Sequence, residues 1–234
     1  PDDGVKFIST LSTPQDQIQN KAEKGENYLL EVDNPMVVPV GKKVKILLTA
    51  SDVIHSWWVP AFGVKQDAIP GFVKETWIKV DKPGVYRGQC AELCGKDHGF
   101  MPIVVEAKSE ADYDTWISAQ KDAAAAADAG ADKEWTKDDL VTAGEAVYQK
   151  NCSVCHGATG AGIPPAFPAM TGSAVATGPI DKHLEIIMNG KNIMPAWKAV
   201  LNDTDIAAVI AYERNALGNS TGDVIQPSAV KAAR

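Results

Sequence analysis

Long apolar runs are missing from this sequence of 234 residues. No segment approaches the roughly 18–20 consecutive apolar residues that a membrane-spanning helix needs, and no basic region followed by an apolar one opens the chain as in a secretory signal. The sequence as it stands therefore predicts no membrane span. Because 45% of the residues are nonetheless hydrophobic, packed cores are expected, and a disordered or fibrous protein is excluded.

An excess of positive charge is also missing. The 23 Lys and Arg side chains are outnumbered by 30 Asp and Glu side chains, which gives a net charge of -7. Nucleic-acid-binding proteins present basic surfaces to phosphates, so this balance argues against a nucleic-acid partner. The negative charge is concentrated in residues 107–141, which carry 9 acidic and 4 basic side chains.

Cysteine is scarce and unevenly placed. The four cysteines form two close pairs, Cys90 with Cys94 and Cys152 with Cys155. A disulfide framework spreads its cysteines over the fold, whereas close pairs are typical of metal sites and covalently attached cofactors. We therefore expect the chemistry of the protein at these two places.

The spacing of apolar residues divides the chain into two halves. Up to about residue 106, short β-rich runs alternate with turn signals such as Asn34-Pro35 and Pro83-Gly84, a pattern typical of a β-sandwich. After residue 141, apolar residues recur with the period of a helix. The predicted strands are Tyr28–Asp33, Val37–Val40, Lys43–Thr49, Val53–Val59, Phe72–Val80, Val85–Gln89 and Ile103–Glu106.

The segment between the two halves is rich in alanine and aspartate and has few side chains able to fill a core. A short helix is expected after Ser109, followed by a linker. The predicted boundaries are residues 1–117 for an all-β domain that ends in this helix, 118–138 for an acidic linker, 139–220 for a small all-α domain and 221–234 for a flexible tail.

The motif Cys152-Ser-Val-Cys155-His156 has the C-x-x-C-H spacing of covalent haem attachment. Two thiols at this spacing bond to one haem, and the adjacent imidazole binds the iron. The alternative is a redox dithiol or half of a zinc site. A zinc site needs a second pair of ligands, and the only histidine after this motif is His183, so the motif favours haem c.

A second axial ligand to the iron is expected downstream of the motif. Met188 falls on the apolar stripe of a predicted helix and is interpreted as core packing. His183 lies in the first turn of that helix beside charged neighbours and is expected to be solvated. Met194 precedes Pro195 in a loop between two predicted helices and is the preferred ligand, with Met170 second.

Residues 142–217 resemble a class I cytochrome c. A predicted helix leads into the haem motif, Met194-Pro-Ala-Trp197 forms a loop, and a last helix follows Leu201-Asn-Asp-Thr204. The resemblance implies that Met194 is the axial ligand opposite His156. A Met/His pair leaves the iron without an open position, which implies electron transfer rather than oxygen chemistry.

The segment Cys90-Ala-Glu-Leu-Cys94-Gly-Lys-Asp-His98-Gly-Phe-Met101 places two thiols, an imidazole and a thioether close together. These soft or borderline ligands favour copper, and His55 on a predicted strand can supply a second imidazole. A site for one copper ion uses one cysteine, so the second cysteine indicates two ions bridged by two thiolates. A disulfide or a zinc site is the alternative, but zinc rarely takes a thioether ligand.

The surrounding motifs resemble the dinuclear copper (CuA) domain of cytochrome c oxidase subunit II over about residues 28–117. The resemblance implies a cupredoxin-like Greek-key sandwich in which Cys90 and Cys94 bridge the two copper ions. It implies His55, His98, Met101 and the backbone carbonyl of Glu92 as terminal ligands, and a magnesium ion held by the Glu92 carboxylate together with subunit I. The motifs are Ser51-Asp-Val-Ile-His55-Ser-Trp-Trp-Val-Pro60, Lys65-Gln-Asp-Ala-Ile-Pro-Gly71 and Gly88-Gln-Cys90-Ala-Glu-Leu-Cys94-Gly-Lys-Asp-His98-Gly-Phe-Met101-Pro-Ile-Val.

The two resemblances together imply subunit II of a caa3-type oxidase, a group in which a cytochrome c domain is appended to this subunit. Such a chain takes electrons at its haem from a cytochrome c or another donor and passes them through the dicopper centre to subunit I, which holds haem a and copper. The membrane helices and the Trp/Tyr-rich strand of the family are expected to precede Pro1 in a longer subunit. Haem attachment and oxidised copper imply the periplasmic face of a bacterial inner membrane.

Two other functions fit parts of this pattern. The copper subunit of a nitric oxide reductase resembles the same family and uses the same ligands. A periplasmic copper-binding protein or metallochaperone with a haem sensor is less well supported, since a delivery protein has no need of two bridging thiolates. Trp57, Trp58 and Trp77 are interpreted as packing residues of the sandwich rather than electron relays.

Overall fold

A computed structural model describes residues 4–164 and 167–234 and divides the chain into two compact units, residues 1–119 and 120–234. Strands form most of the regular structure of the first unit, whereas the described regular structure of the second unit consists of helices. The predicted succession of an all-β domain and a helical domain is confirmed.

The first unit is built from three small sheets. In one sheet β7 lies between β1, which it pairs in parallel, and β6, which it pairs antiparallel. The pairs β2 with β5 and β3 with β4 are antiparallel, with His55 opposite Ala68. The strands are β1 (Met36–Pro39), β2 (Lys43–Leu48), β3 (His55–Val59), β4 (Val64–Ala68), β5 (Lys74–Lys79), β6 (Gly84–Gln89) and β7 (Pro102–Lys108).

Alternation along the strands directs one row of side chains into the core of this unit. In β2 the inward positions are Val44, Ile46 and Leu48, and the alternate residues Lys43, Lys45 and Leu47 point to solvent. Trp57 packs against the same core, as the sequence interpretation expected, whereas Trp77 is exposed beneath the Lys43 ammonium group. The buried residues of the core are Val38, Ile46, Val59, Ile78, Val80, Val105 and Ala107.

Two strand predictions differ from the structure. Tyr28–Asp33 forms turns, with Leu29 in the left-handed region at a φ of 60°, and only Val32 makes a β-bridge. The strand β4 was not predicted, because its inward row includes Gln66 and its apolar alternation is therefore weak. Here pairing with β3 decides the conformation more than the strand's own residues do.

Gly88 allows β6 to lie directly against β3. A Cβ atom at this position would lie 1.9 Å from the Trp58 carbonyl oxygen, a separation that no side chain can adopt. The close approach matters for function because β6 leads into Cys90 and β3 begins at His55. Glycine at this position therefore brings a cysteine and a histidine that are distant in sequence to the same end of the sandwich.

The first unit also contains a short helix, α1 (Gln15–Ile18). Helix α2 (Glu110–Ala131) begins after Ser109, whose hydroxyl accepts a hydrogen bond from the Asp112 amide at 3.2 Å, as predicted. The boundary between the units falls inside α2. The helices that follow in the second unit are α3 (Lys137–Asn151), α4 (Ser153–His156), α5 (Ile180–Asn189), α6 (Asp203–Asn215) and α7 (Pro227–Ala233).

The centre of the second unit is the crossing of α3 and α6. A Cβ atom on Gly144 would lie 2.0 Å from the Ala208 carbonyl oxygen, so only glycine lets the two helices approach this closely. One turn further along, the rings of Tyr148 and Tyr212 pack with their centroids 5.4 Å apart. Tyr148 is fully buried, and its hydroxyl donates a hydrogen bond to the Gly157 carbonyl next to the haem motif.

The structure differs from the sequence expectations at the linker and the tail. Helix α2 extends through residue 131 of the expected linker, since alanine has the highest helix propensity of all residues. The expected flexible tail includes α7, which buries Val230 against the unit. The Gln226 amide exchanges two hydrogen bonds of 3.0 Å with the backbone of Trp135. None of the helices in the described ranges is long and apolar enough to cross a membrane.

Candidate copper and haem sites

The copper-ligand candidates lie at one end of the sandwich, where β3 and β6 meet. His55 is the first residue of β3, Cys90 follows the last residue of β6, and the loop from there carries Cys94 and His98 to the start of β7. Backbone hydrogen bonds fix both ends of this loop. The Cys90 amide donates to the Met101 carbonyl at 3.0 Å, and the next amide donates to the Ser56 carbonyl at 3.1 Å.

Two sulfur atoms and two ring nitrogens converge at this end. The Sγ atoms of Cys90 and Cys94 are 3.8 Å apart, which is well beyond the roughly 2.05 Å of a disulfide bond. The Nδ1 atom of His55 lies 3.9 Å from the Cys90 sulfur, and the Nδ1 atom of His98 lies 3.5 Å from the Cys94 sulfur. The Glu92 carbonyl oxygen lies 3.2 Å from Cys90. Each sulfur thus has its own imidazole, a donor set that fits two soft metal ions.

The surroundings favour a thiolate at Cys90. Burial acts to raise the pKa of this thiol, but hydrogen bonds from the backbone at Ser56 and Glu92 and from His55 outweigh it and lower the pKa to about 7. Burial and the neighbouring Cys90 sulfur raise the pKa of Cys94. The surroundings thus favour the thiolate at Cys90 and the thiol at Cys94. A bound cation would stabilise both sulfurs as thiolates, which is the form that metal ligation requires.

Asp52 holds His55 in the orientation that a metal ligand needs. Its carboxylate lies 2.9 Å from Nε2 of the ring, so Nδ1 remains directed at the sulfurs. The hydrogen bond from His55 lowers the pKa of Asp52. Burial acts to lower the pKa of His55, but the partners Asp52 and Cys90 raise it. Second-layer carboxylates of this kind fix the tautomer and direction of metal-binding histidines.

The last predicted copper ligand, Met101, lies at the surface, as does the Glu92 carboxylate that was expected to hold magnesium. Met101 is 41% exposed, directly before β7, and the Glu92 side chain is exposed as well. Within the ranges that the structure describes, the one cluster of potential metal ligands is His55 with Cys90 and Cys94, so the expected magnesium ion has no support from this chain alone.

The haem motif occupies the end of α3 and the short helix α4. The His156 amide donates to the Cys152 carbonyl at 2.9 Å, which places both residues on one helical turn. The His156 ring is oriented by its Nδ1 atom, which lies 2.9 Å from the Pro168 carbonyl oxygen. Nε2 is thereby left as the atom that can bind iron, and the motif fits a haem in this respect.

Apolar side chains next to the candidate ligands are open to solvent. Val154 within the motif is 39% exposed, and Ile193 beside Met194 is 70% exposed. A haem placed on this surface would cover such groups. Met194 itself is half-buried in a turn closed by reciprocal backbone hydrogen bonds with Lys191, whereas Met170 is buried. Met188 is buried on α5, in agreement with its interpretation as core packing.

His183 does not fit its predicted environment. It was expected to be solvated but is only 1% exposed, and its Nε2 atom lies 2.7 Å from a carboxylate oxygen of Glu213, which is 3% exposed. The prediction is wrong because α5 packs its first turn against α6. Glu213 continues the apolar row Ile206, Val209 and Ile210 of α6 at helical spacing, and this signal in the sequence was missed.

Comparison with models of known protein families gives one matching family for each unit. The family described as cytochrome c oxidase subunit II, periplasmic domain, matches residues 3–108, and the family described as cytochrome c oxidase, cbb3-type, subunit III matches residues 139–212. A probable cytochrome c oxidase subunit 2 of Rickettsia bellii is 56% identical over 100 residues, 43% of this chain and 37% of the relative. The first unit is thus similar to the periplasmic domain of cytochrome c oxidase subunit II and the second to a cytochrome c domain, which confirms the predicted cupredoxin-like and cytochrome c folds.

Further relatives cover the same region. Cytochrome c oxidase subunit 2 of Chondrus crispus is 48% identical over 117 residues, 50% of this chain and 44% of the relative. The crystal structure of the periplasmic domain of subunit II of cytochrome oxidase of Bradyrhizobium japonicum is 46% identical. It covers 52% of this chain and 82% of that chain, with a TM-score of 0.45. The chain spans about two fifths of the length of the curated relatives it matches.

Proposed function

We propose that this chain is the electron-transferring part of subunit II of a caa3-type haem-copper oxidase. The observation that carries the proposal is the convergence of two sulfurs, two imidazole Nδ1 atoms and a carbonyl oxygen at one end of the β-sandwich. Cys90 and Cys94 would bridge two copper ions, and His55, His98, Met101 and the Glu92 carbonyl would complete the ligands. The match of residues 3–108 to the subunit II family supports this assignment.

The second unit would hold one haem c. Cys152 and Cys155 would attach it, His156 would bind the iron through Nε2, and Met194 would be the opposite ligand. The Pro168 carbonyl that fixes the His156 ring supports this arrangement. When bound, the haem and the copper pair supply one-electron oxidation and reduction. With His156 and Met194 both bound to it, the iron would have no position open for oxygen, and the haem would serve electron transfer alone.

The chain's own contribution is to hold the ligands in one geometry. His55 is fixed by Asp52, and the loop of Cys94 and His98 is fixed at both ends by backbone hydrogen bonds. A scaffold that keeps the same ligand positions in both oxidation states minimises the structural change that accompanies each electron. Such a rigid site favours fast electron transfer. A copper-delivery protein needs instead to bind a copper ion tightly and then to release it.

Electrons would enter at the haem from a cytochrome c or another donor and leave through the copper pair to subunit I. The rim of the copper loop is suited to a contact with another subunit, because Leu93 is 77% exposed and Glu92 lies beside it at the surface. The Glu92 carboxylate would hold magnesium only together with subunit I. Oxygen reduction and proton pumping would belong to subunit I, and the chain would lie on the periplasmic face of the inner membrane.

Electron paramagnetic resonance of the oxidised, copper-loaded chain tests the copper assignment. Hyperfine structure from two equivalent copper nuclei is expected, and Cys94→Ser should replace it with the pattern of a single nucleus. Glu75→Gln, on the exposed part of β5, is a matched surface control that should leave the spectrum unchanged. Coupling to one nucleus in the unaltered chain would contradict the proposal.

The order of transfer is tested by rapid mixing with a reduced cytochrome c. In the unaltered chain, haem reduction should precede copper reduction. In Cys94→Ser the haem should still be reduced at the same rate, because its ligands lie in the other unit. Copper that is reduced before the haem would overturn the proposed direction.

A further inference from the structure

A buried side-chain amide ties together two separate backbone segments of the second unit. Asn219 follows α6 and is 8% exposed. Its Nδ2 atom donates hydrogen bonds to the Met170 carbonyl at 3.0 Å and to the Glu213 carbonyl at 2.7 Å. Its Oδ1 atom accepts a hydrogen bond from the Gly172 amide at 2.8 Å. Both donor hydrogens and the acceptor oxygen of this amide are thus engaged with the backbone.

The turn that presents Asn219 has an unusual backbone conformation. Leu217 has a φ of 53°, in the left-handed region that residues other than glycine rarely adopt, and Gly218 follows with a φ of 80°. The Leu217 carbonyl accepts a hydrogen bond of 2.8 Å from the Thr171 hydroxyl, so the turn meets the same segment that Asn219 binds. Unfavourable backbone conformations of this kind cluster at functional sites, which directs attention to what this segment holds.

The segment bound by Asn219 begins beside the proposed iron ligand. The Pro168 carbonyl oxygen lies 2.9 Å from Nδ1 of the His156 ring, and one residue separates Pro168 from Met170. Because peptide groups are planar and rigid, a shift of the Met170 carbonyl is passed along the backbone to the Pro168 carbonyl. The position of Met170 therefore affects the hydrogen bond that orients the ring.

The loop that follows the haem motif packs against the same segment. The Met170 amide donates to the Gly160 carbonyl at 2.7 Å, whereas the Met170 carbonyl is bound by Asn219. A Cβ atom on Gly162 would lie 2.7 Å from the carbonyl carbon of Pro168, so the two backbones are already in close contact. The segment is thus held between the loop of the haem motif and the turn after α6.

We propose that Asn219 is a positioning residue for His156 and thereby for the midpoint potential of the haem. By binding Met170, its amide keeps the Pro168 carbonyl within hydrogen-bond distance of Nδ1 of the ring. The inference rests on the proposed haem binding, in which Nε2 of the same ring binds the iron. Asn219 acts on the ring through the backbone of residues 168–172.

The direction of the effect follows from the hydrogen bond at Nδ1. A carbonyl that accepts this proton increases the electron density of the imidazole, which makes Nε2 a stronger ligand and stabilises ferric iron. Loss of the Asn219 amide should weaken the hydrogen bond and favour ferrous iron. A change equivalent to one ordinary hydrogen bond alters the ratio of ferrous to ferric haem by about 2- to 10-fold. At about 59 mV per tenfold change for one electron, the midpoint potential should rise by about 20–60 mV.

A redox titration of the full haem-loaded chain at a fixed neutral pH, followed by haem absorbance, compares two leucine variants. Asn219→Leu removes the amide and should raise the midpoint potential. Asn215→Leu is the matched control, because its amide makes the same three kinds of hydrogen bond elsewhere. It donates to the carbonyls of Ala211 and Asp223 and accepts from the Gly222 amide. This variant should lose stability, but its potential should remain that of the unaltered chain.

A second measurement separates the position of the ring from the stability of the unit. The proton on Nδ1 of His156 is followed by NMR in the ferrous chain. Its exchange with water should be faster in Asn219→Leu than in the unaltered chain and unchanged in Asn215→Leu. Thr171→Val preserves the shape of the side chain but removes the hydroxyl that donates to the Leu217 carbonyl. It should raise the potential by a smaller amount, and it decides the question if Asn219→Leu takes up no haem.

Two outcomes would overturn the inference and assign the amide to stability alone. One is an unchanged potential in Asn219→Leu, or in Thr171→Val where the first variant takes up no haem. The other is an equal rise of the potential in Asn215→Leu. Failure of the unaltered chain to take up haem would instead refute the proposed function of the second unit.

Discussion

Gly144→Ala is expected to destabilise the second unit strongly, although alanine is the better helix former. The new Cβ atom would lie 2.0 Å from the Ala208 carbonyl oxygen and 2.8 Å from Cβ of Tyr212. Both contacts are with atoms that cannot move aside without shifting α6. Overpacking of this kind costs roughly 3 kcal/mol at the upper end of the usual range, and the gain in helix propensity returns about 1 kcal/mol.

The net loss is therefore about 2 kcal/mol, which at roughly 5 °C per kcal/mol for a unit of this size lowers its melting temperature by about 10 °C. Gly130→Ala is the matched control, because this glycine is also helical but its new Cβ would meet only side-chain atoms, the Thr204 hydroxyl at 3.2 Å and Cζ2 of Trp135 at 3.8 Å. Urea unfolding of the haem-loaded chain, followed by haem absorbance, measures both variants. Equal stability of the two, within about 0.5 kcal/mol, would refute the argument from close approach.

Three further outcomes are expected. Asp52→Ala should weaken copper binding by about 10–100-fold in competition with a chelator, because His55 loses the partner that orients it, and unchanged affinity would contradict this role. Arg214 holds the pKa of Asp223 at about 2, below its ordinary 3.8, so the folded state loses stability as the pH falls from about 4 to 2. Acid titration of Asp223→Asn should show a smaller loss over that interval than the unaltered chain. Met194→Leu should lower the haem midpoint potential in a redox titration, and an unchanged potential would remove Met194 as the axial ligand.

The features that could be predicted from the sequence are those in which the chemistry of a site requires its residues to stand at a fixed spacing along the chain. Cys152, Cys155 and His156 lie within one C-x-x-C-H motif, and Cys90 and Cys94 share a short loop. The partnership of His55 with Cys90 rests on a different kind of evidence. The residues alone offered His55 only as a possible second imidazole, and the resemblance then implied it as a ligand, because the contact depends on how closely β6 approaches β3 and not on any local pattern.

Other features depend on packing between distant segments and were not predicted. The contact of His183 with Glu213 joins residues on different helices, and neither residue reveals its burial by its own type. The Ala-rich segment has few side chains able to fill a core, and the sequence therefore predicts a linker there. Alanine, however, favours a helix through its own backbone propensity, without burial in a core. The final helix α7 is short, and its position is fixed by Val230 and Gln226 rather than by helix propensity.

The hydrogen bonds between Gln226 and Trp135 bring the first and last segments of the second unit side by side. A unit whose ends are neighbours can be joined to another protein at either end without rearrangement of its interior. This geometry suits a portable module, and it gives a structural reason why such a helical unit can be appended to an otherwise separate β domain during evolution. The same adjacency makes the second unit a candidate for circular permutation, with a new start placed in an exposed loop.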